Sequence, residues 1–327
     1  MGDCLSVVPQ LNDLLDRRIV FFGGKGGVGK TTLAAAFAIH SGERGIRTLL
    51  VSTDTAHSTS DILETVLGPE PRRVTGECWA VEIDPGHETD RYISDVKRRI
   101  AGTIAPRLVH EVERQIDIAR VSPGAEEAAV FERFTRIIEE LRDDFGCIFF
   151  DTAPTGQTLR LLSLPELMAT WISGLIGRRK KVNMLARMWR NVAGASAVGV
   201  LAEDDPVLSA LEERRDRFLR TREILTDRHQ TAFVFVLTPE RLPILETRKA
   251  VAVLSRYGIP VSAILVNRVL PFDADGEFLE RRRERESEYL GRIDEAFSGF
   301  PICRIPLDDQ DVVGVAALRE VAATVYQ

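Results

Sequence analysis

Cysteine is scarce. The 327 residues hold four, Cys4, Cys78, Cys147 and Cys303, and no two stand closer than 69 positions. That spacing offers neither a disulfide framework nor a Cys-x-x-Cys metal site, and it leads us to expect a reducing compartment, the cytoplasm. Methionine is equally sparse, at four, and aromatic residues amount to 7%. Positive charge is not in excess: 43 Lys and Arg stand against 49 Asp and Glu, a net charge of −6. A broadly basic nucleic-acid binder is therefore excluded, and no nucleic-acid partner is expected. No run of eighteen apolar residues occurs, and the N-terminal stretch carries Asp3, Asp13 and Asp16 in place of an apolar h-region. Neither a membrane span nor a secretion signal is expected.

What is present is an ordinary soluble composition, 44% hydrophobic and 28% charged, in a chain long enough for one large domain or two smaller ones. Short β-branched and aromatic runs alternate with long stretches of helical spacing. This predicts an α/β fold, a doubly wound and mostly parallel sheet. The strand candidates are Ile19–Phe22, Thr48–Ser52, Trp79–Ile83, Cys147–Phe150, Ala232–Leu237, Val261–Val266 and Ile302–Ile305. Most are continuously apolar, as strands covered on both faces are. Two segments, 87–141 and 164–201, exceed a simple crossover and read as helical insertions. The first is interrupted at Ser122-Pro123-Gly124. The second holds every methionine except Met1, and two of the three tryptophans, and reads either as a helical subdomain or as a mobile apolar surface. The run Glu277–Tyr289 reads as a solvated charged helix.

Chemistry concentrates after the first strand. Gly24 to Thr31 satisfies G-x-x-x-x-G-K-[ST] between a strand and a helix, the phosphate-binding loop of an ATP or GTP site. Glycines 24, 26, 27 and 29, with Val28, let backbone N–H groups converge on phosphate oxygens, and Thr32 continues into the helix N-terminus. Lys30 is expected to reach the β- and γ-phosphates and the Thr31 hydroxyl to ligate Mg²⁺. Lys25 is not demanded by phosphate cradling. It is either a surface lysine or the mark of a subclass. The second strand leads into Asp54, which can orient or deprotonate an attacking water, or merely cap the helix that follows. His57 is a lone histidine, a type more often structural than catalytic. The fourth strand candidate ends in Asp151, the Walker B arrangement, with Mg²⁺ held directly or through water. Gly156 gives the backbone freedom that a γ-phosphate-sensing loop needs.

Lys25 to Thr31, K-G-G-x-G-K-T, resembles the deviant Walker A loop. Together with D-x-A-H-S from Asp54 to Ser58, and D-T-A-P-T-G from Asp151 to Gly156 followed by Thr158 to Leu162, it is similar to the ArsA/GET family. That family comprises arsenite-pump ATPases and cytosolic ATPases that deliver tail-anchored membrane proteins. Weaker echoes are Glu82-Ile83-Asp84-Pro85, Val266-Asn267-Arg268, and Ile305-Pro306-Leu307 before Val313-Gly314. The resemblance implies one ATPase unit over residues 1–327, with Mg²⁺ and ATP as its ligands. It further implies that Asn267 and the loop at Pro306 contact adenine, that Asp54 positions water, and that Lys25 crosses to the partner in a homodimer enclosing two ATP molecules. Thr55 and Gln157 depart from the family's usual proline and histidine, and Gln157 does not titrate near neutral pH. The stretch Gly276–Arg282 lacks the zinc-clamping cysteines of the targeting ATPases, so a dimer without zinc is expected.

The cargo is read from two further features. Arsenite prefers thiolates, so direct sensing needs cysteines that converge. Arsenite-pump ATPases have cysteines near positions where this chain has Glu126 and Ala197, and Cys78, Cys147 and Cys303 read as buried packing residues. In the targeting ATPases the region after the second switch lines a methionine-rich groove for a client transmembrane helix. Met168, Trp171, Ile172, Leu175, Ile176, Met184, Leu185, Met188 and Trp189 are the candidates here, with core packing as the alternative. Arg178 to Lys181 either meets acidic lipid or a client's charged flank, or is simply solvated. Three readings result: a nucleotide-gated carrier of hydrophobic helices, the soluble motor of an arsenite or antimonite pump with a membrane partner, and a partition-type scaffold.

Overall fold

The computed structural model describes residues 11–53, 58–101, 110, 113–114, 116–118, 120, 125–141, 143–153, 155–193, 206–272 and 276–326. In chain order the elements are β1 (Ile19–Gly23), α1 (Lys30–Glu43), β2 (Thr48–Ser52), α2 (Ser58–Ile62), β3 (Arg72–Thr75), β4 (Cys78–Glu82) and α3 (Pro85–Ala101). Next come α4 (Ala125–Arg136), which runs into a π-helical turn at Ile137–Leu141, then β5 (Cys147–Asp151), α5 (Thr155–Ala193) and α6 (Pro206–Thr226). The chain ends with β6 (Thr231–Leu237), α7 (Arg241–Arg256), β7 (Val261–Val269), α8 (Glu277–Ala296), β8 (Ile302–Pro306) and α9 (Gly314–Tyr326).

The strands form one sheet in the order β3-β4-β2-β5-β1-β6-β7-β8. Every neighbouring pair is parallel except β3 with β4. All seven expected strands occur, with ends shifted by up to three residues. β3 was not expected: Arg-Arg-Val-Thr has no apolar run, and a short charged strand is how a sheet protects its edge from further pairing. The sheet is apolar on both sides because successive side chains alternate faces. Val20, Phe22, Cys147, Phe149, Ala232 and Val234 point to one core, and Ile19, Phe21, Ile148, Phe150, Phe233 and Phe235 to the other.

The two cores differ in kind. On the first face α1 presents the run Leu33–Ile39, buried without interruption, and is covered from outside by Leu318, Ala322 and Val325 of α9. A helix buried all round carries little amphipathic signal, and its alanines let it lie close to the strands. The second face is built on phenylalanine: Phe21 stacks on Phe150 with centroids 4.8 Å apart, Phe134 tilts against Phe150 at 5.2 Å, and Phe131 meets Phe218 at 5.0 Å. These rings seat α4 and α6.

Where α3, α4 and α6 meet, charge fastens the helices. Buried Arg133 lies 3.5 Å from buried Glu88 and donates to the Pro69 carbonyl at 2.7 Å. Glu132 accepts from Arg217 at 2.7 Å and from Arg214 at 3.1 Å, and Arg136 stands 3.6 Å away. Arg214 also donates to the Tyr92 hydroxyl at 3.0 Å, and Glu139 in the π-helical turn pairs with Arg217 and Arg220. The described part of segment 87–141 contains α3, α4 and the π-helical turn; Ser122 to Gly124 lie outside the described residues.

The second insertion needs correction in its bounds. No boundary falls at position 164, because α5 begins at Thr155 and runs through Pro165 to Ala193 as one helix. Nor do Ile172 and Ile176 belong to an open groove: both are buried in the phenylalanine-rich core. Glu132→Gln should reduce folding stability by about 1–3 kcal/mol, since it removes a counter-charge shared by the half-buried Arg136, Arg214 and Arg217. Urea unfolding measures this, and a loss below about 1 kcal/mol would mean that the remaining carboxylates already suffice.

Candidate functional site

The site lies at the carboxyl ends of the central strands, where open α/β sheets bind ligands. β1 ends at Gly23 and the chain turns directly against β6. A Cβ on Gly24, at φ +154°, would sit 2.2 Å from the Val236 carbonyl oxygen, so only glycine allows the passage. Gly29, at φ +94°, caps α1 without a side-chain hydrogen bond, and a Cβ there would meet Asn267 Nδ2 at 2.3 Å. The first-turn N–H groups of α1 consequently have no capping side chain and can serve an anion. Lys30 is buried and its Nζ donates across the loop to the Lys25 carbonyl at 3.3 Å. Lys25 turns toward α7, with Nζ 3.8 Å from Glu246 Oε1.

The other half of the loop's support comes from β7. Between Val266 and Val269 the β7–β8 ladder contains one extra residue on β7, a bulge at Asn267-Arg268. It aims Asn267 at the loop, where Nδ2 donates to the Val28 carbonyl at 2.9 Å. Asn267 and Pro306 line one cleft of about 890 Å³ together with Gly29 and Thr32 at the start of α1 and the segment Asp308–Val313. The structure therefore brings the two residues expected at adenine together beside the phosphate loop.

The opposite wall is held by hydroxyls. α2 opens Ser58-Thr59-Ser60, and each side chain contacts a different element. Ser58 Oγ is 3.3 Å from Thr31 Oγ1 in α1, Thr59 Oγ1 donates to Asp151 Oδ2 at 3.4 Å, and Ser60 Oγ donates to Glu82 Oε2 at 2.9 Å. Thr53 ties the ends of β2 and β5: its N–H donates to the Asp151 carbonyl at 2.9 Å, and its Oγ1 accepts from Ala153 N–H at 3.2 Å. Thr59, Ser60 and Glu82 were not singled out individually from sequence. The signal available was a run of three small hydroxyls after a strand-end aspartate. Asp54, Thr55, Ala56, His57 and Pro154 lie outside the described residues, and Gln157 stands in the first turn of α5.

Asp151 is fully buried at the end of β5 and accepts from Thr59 Oγ1, while the neighbouring Ser58 of α2 meets the Thr31 hydroxyl. Among the described residues no three His, Cys, Asp or Glu side chains converge on a point. Mg²⁺ does not require that, because it binds through one or two carboxylates and completes its shell with substrate phosphates and water. A hard-oxygen set of one carboxylate and one threonine hydroxyl beside a phosphate loop fits the ion. The thiols lie elsewhere. Cys78 and Cys147 pair across Thr48 at the opposite, amino-terminal end of the sheet. Burial pushes the Cys78 thiol up to about 12 and Cys147 higher still, so neither presents a thiolate at neutral pH. Cys303 is buried in the α1-side core.

The family model described as anion-transporting ATPase matches residues 17–327. An Aquifex aeolicus protein named as an arsenical pump-driving ATPase is 36% identical over 303 residues, 93% of this chain and 97% of that protein. A Chlorobaculum tepidum protein named as an arsenical pump-driving ATPase is 32% identical over 94% of this chain and 75% of its own length. A Paramecium tetraurelia protein named ATPase ASNA1 homolog 1 is 30% identical over 96% of this chain and 95% of its own length. Gly24→Ala should weaken ATP binding at least tenfold, about 1.4 kcal/mol, by pushing the loop off β6. Calorimetric titration reads this, and unchanged affinity would show that the close approach to Val236 has no part in the site.

Proposed function

This chain belongs to the anion-transporting ATPase family, and we propose that its ATP hydrolysis drives a homodimer between states that bind and release a hydrophobic helix, such as the tail of a membrane protein. The enzyme is an ATPase by that membership. In the proposed site the loop N–H groups of Gly24 to Thr32 and the Lys30 ammonium hold the β- and γ-phosphates, and Asn267 and Pro306 flank the adenine. Thr31 and Asp151 hold Mg²⁺, which when bound neutralises β- and γ-phosphate oxygens. Asp54 orients the water that attacks the γ-phosphorus and accepts its proton, while Lys25 leaves Glu246 to reach the partner's phosphates. Residues 1–327 act as one ATPase unit, with 87–141 and α5 contributing the client-binding layer and α6 completing it.

The observation that carries the cargo is the outer face of α5. Leu167, Trp171, Val182, Met184 and Leu185 are each more than half exposed, while Leu162, Ala169, Ile172 and Ile176 on the inner face are buried. The stretch Thr158–Leu185 is long and apolar enough to cross a membrane by length and composition, with 28% of its most apolar window buried. Its inner face is already committed to the protein core, so the outer face supports docking better than insertion. The side chains of Met188 and Trp189 lie outside what the structure describes.

A second reading, the motor of an arsenite or antimonite pump, is favoured by the names of the bacterial relatives. The buried, protonated thiols speak against direct metalloid sensing, so in that reading the coupling runs through a membrane partner. Asp54→Asn should lower turnover by about 10²–10⁴ while ATP binding is retained, and unchanged turnover would remove Asp54 from its role. Trp171→Glu with Leu185→Glu should abolish capture of a synthetic transmembrane helix and leave the basal ATPase rate intact. Capture by the double variant at the wild-type level, or turnover stimulated by arsenite under reducing conditions, would move the pump reading to the front.

A further inference from the structure

The short helix α2 stops on a residue that its own turn does not call for. Its end is closed by two backbone hydrogen bonds, Thr65 N–H to the Ser60 carbonyl at 3.1 Å and Glu64 N–H to the Asp61 carbonyl at 3.2 Å. That pair of bonds is a common helix stop, whose left-handed residue is usually glycine because a Cβ is strained there. Here the residue is Glu64, at φ +49°. Glycine would suit the backbone better, so the reason for glutamate lies in what its side chain reaches.

It reaches the start of α9. Gly314 opens that helix at φ +81°, and a Cβ placed on it would lie 2.9 Å from Glu64 Oε2. The two positions are complementary: a carboxylate stands where glycine is the usual residue, and a glycine stands where a side chain would collide with that carboxylate. Among the described residues Glu64 makes no ion pair. The loop ahead of Gly314 holds Asp308, Asp309 and Asp311, which repel it, so the attraction that remains is the positive end of the α9 dipole. Apolar packing makes the same join. Leu63 and Leu67 are buried in the α1-side core, and Ile62, Val312 and Val315 pack against it.

This join spans the two ends of one nucleotide site. α9 continues directly from the segment Asp308–Val313, which walls the cleft that also holds Asn267 and Pro306. α2 carries Ser58 and Thr59, whose hydroxyls meet Thr31 and Asp151. We propose that Glu64 is a positioning residue that makes hydrolysis depend on a seated base. Adenine in the cleft fixes 308–313 and Gly314 with it, and Glu64 passes that constraint to α2 at the Mg²⁺ end. Glu64 touches no reacting group and acts only through α2. The inference rests on the adenine placement proposed above and uses nothing of the cargo reading.

Glu64→Gly is the variant that tests it, because it removes the carboxylate and relaxes the backbone at the same time. Its melting temperature should stay level or rise, so a fall in activity is not a fall in folding. Steady-state kcat and KM are measured for MgATP and for magnesium tripolyphosphate, which fills the phosphate loop and leaves the cleft empty. The expected result is a kcat for ATP lowered about fivefold or more, with KM held within about twofold and the tripolyphosphate rate equal in the two proteins. An unchanged kcat for ATP in the variant overturns the proposal. So does a fall by the same factor on both substrates, because such an effect does not depend on the base. A wild type that turns over tripolyphosphate as fast as ATP, at equal KM, fails one step earlier: it removes the adenine placement and the link with it.

Discussion

The phosphate loop is held between two walls of different stiffness, and the rest of the site depends on that difference. On one side it is pressed against β6 at Gly24 with no room for a Cβ, and it is clasped by Asn267 through the Val28 carbonyl. Neither contact can lengthen without moving a strand. On the other side it meets α2, a five-residue helix attached by single hydroxyl contacts of 3.3, 3.4 and 2.9 Å to α1, β5 and β4. Each such bond contributes only about 0.5–1.5 kcal/mol, so a few new contacts to a γ-phosphate are enough to re-form the set in a second arrangement. A rigid cradle facing a lightly fastened switch is the physical requirement for reading the state of a nucleotide.

What α2 touches can be followed outward through the chain. Ser60 holds Glu82 at the end of β4; two residues later Asp84 caps α3, its Oδ1 accepting the His87 N–H at 2.5 Å. α3 carries Glu88 into the buried pair with Arg133, and from there charge links α4 to α6. A second route is covalent: Asp151 is followed within four residues by the start of α5. Ion pairs suit such a joint, because they favour a few discrete geometries where an oily contact would slide. The two routes meet where α5 packs on α6.

The legible part of the fold was the part set by local pattern. Parallel strands buried on both faces announce themselves as apolar runs, and the phosphate loop is a sequence motif because its backbone geometry demands glycine at fixed places. β3 was invisible because an edge strand of Arg-Arg-Val-Thr is chosen for its charge and not its apolarity. Segment 164–201 starts in the middle of α5, because Pro165 is tolerated inside that long helix. Periodicity could not assign Ile172 to the core and Trp171 to the surface, since adjacent positions on an apolar helix are separated only by what lies against them. The charge run of α8 is solvated as it reads, with Arg281, Arg282 and Arg285 exposed; the buried exception in that run is Glu286, which its tie to the Leu270 N–H, made in the fold, takes out of water.

The two cargo readings share one engine and differ in which surface the engine works on. Thiols at the amino-terminal end of a parallel sheet stand at the end opposite the phosphate loop, inside the α1 core, and burial keeps them protonated. Motion at the switch has no short path to them, and a metalloid would have to open the core to reach them. The outer face of α5, by contrast, starts at the second switch and continues along a helix whose inner face is locked to the sheet. Only three residues separate Asp151 from the first residue of α5, so the chain path from that strand end to the helix is short. On the proposed reading, that short connection, more than apolarity alone, favours the exposed face of α5 as the surface on which nucleotide state acts.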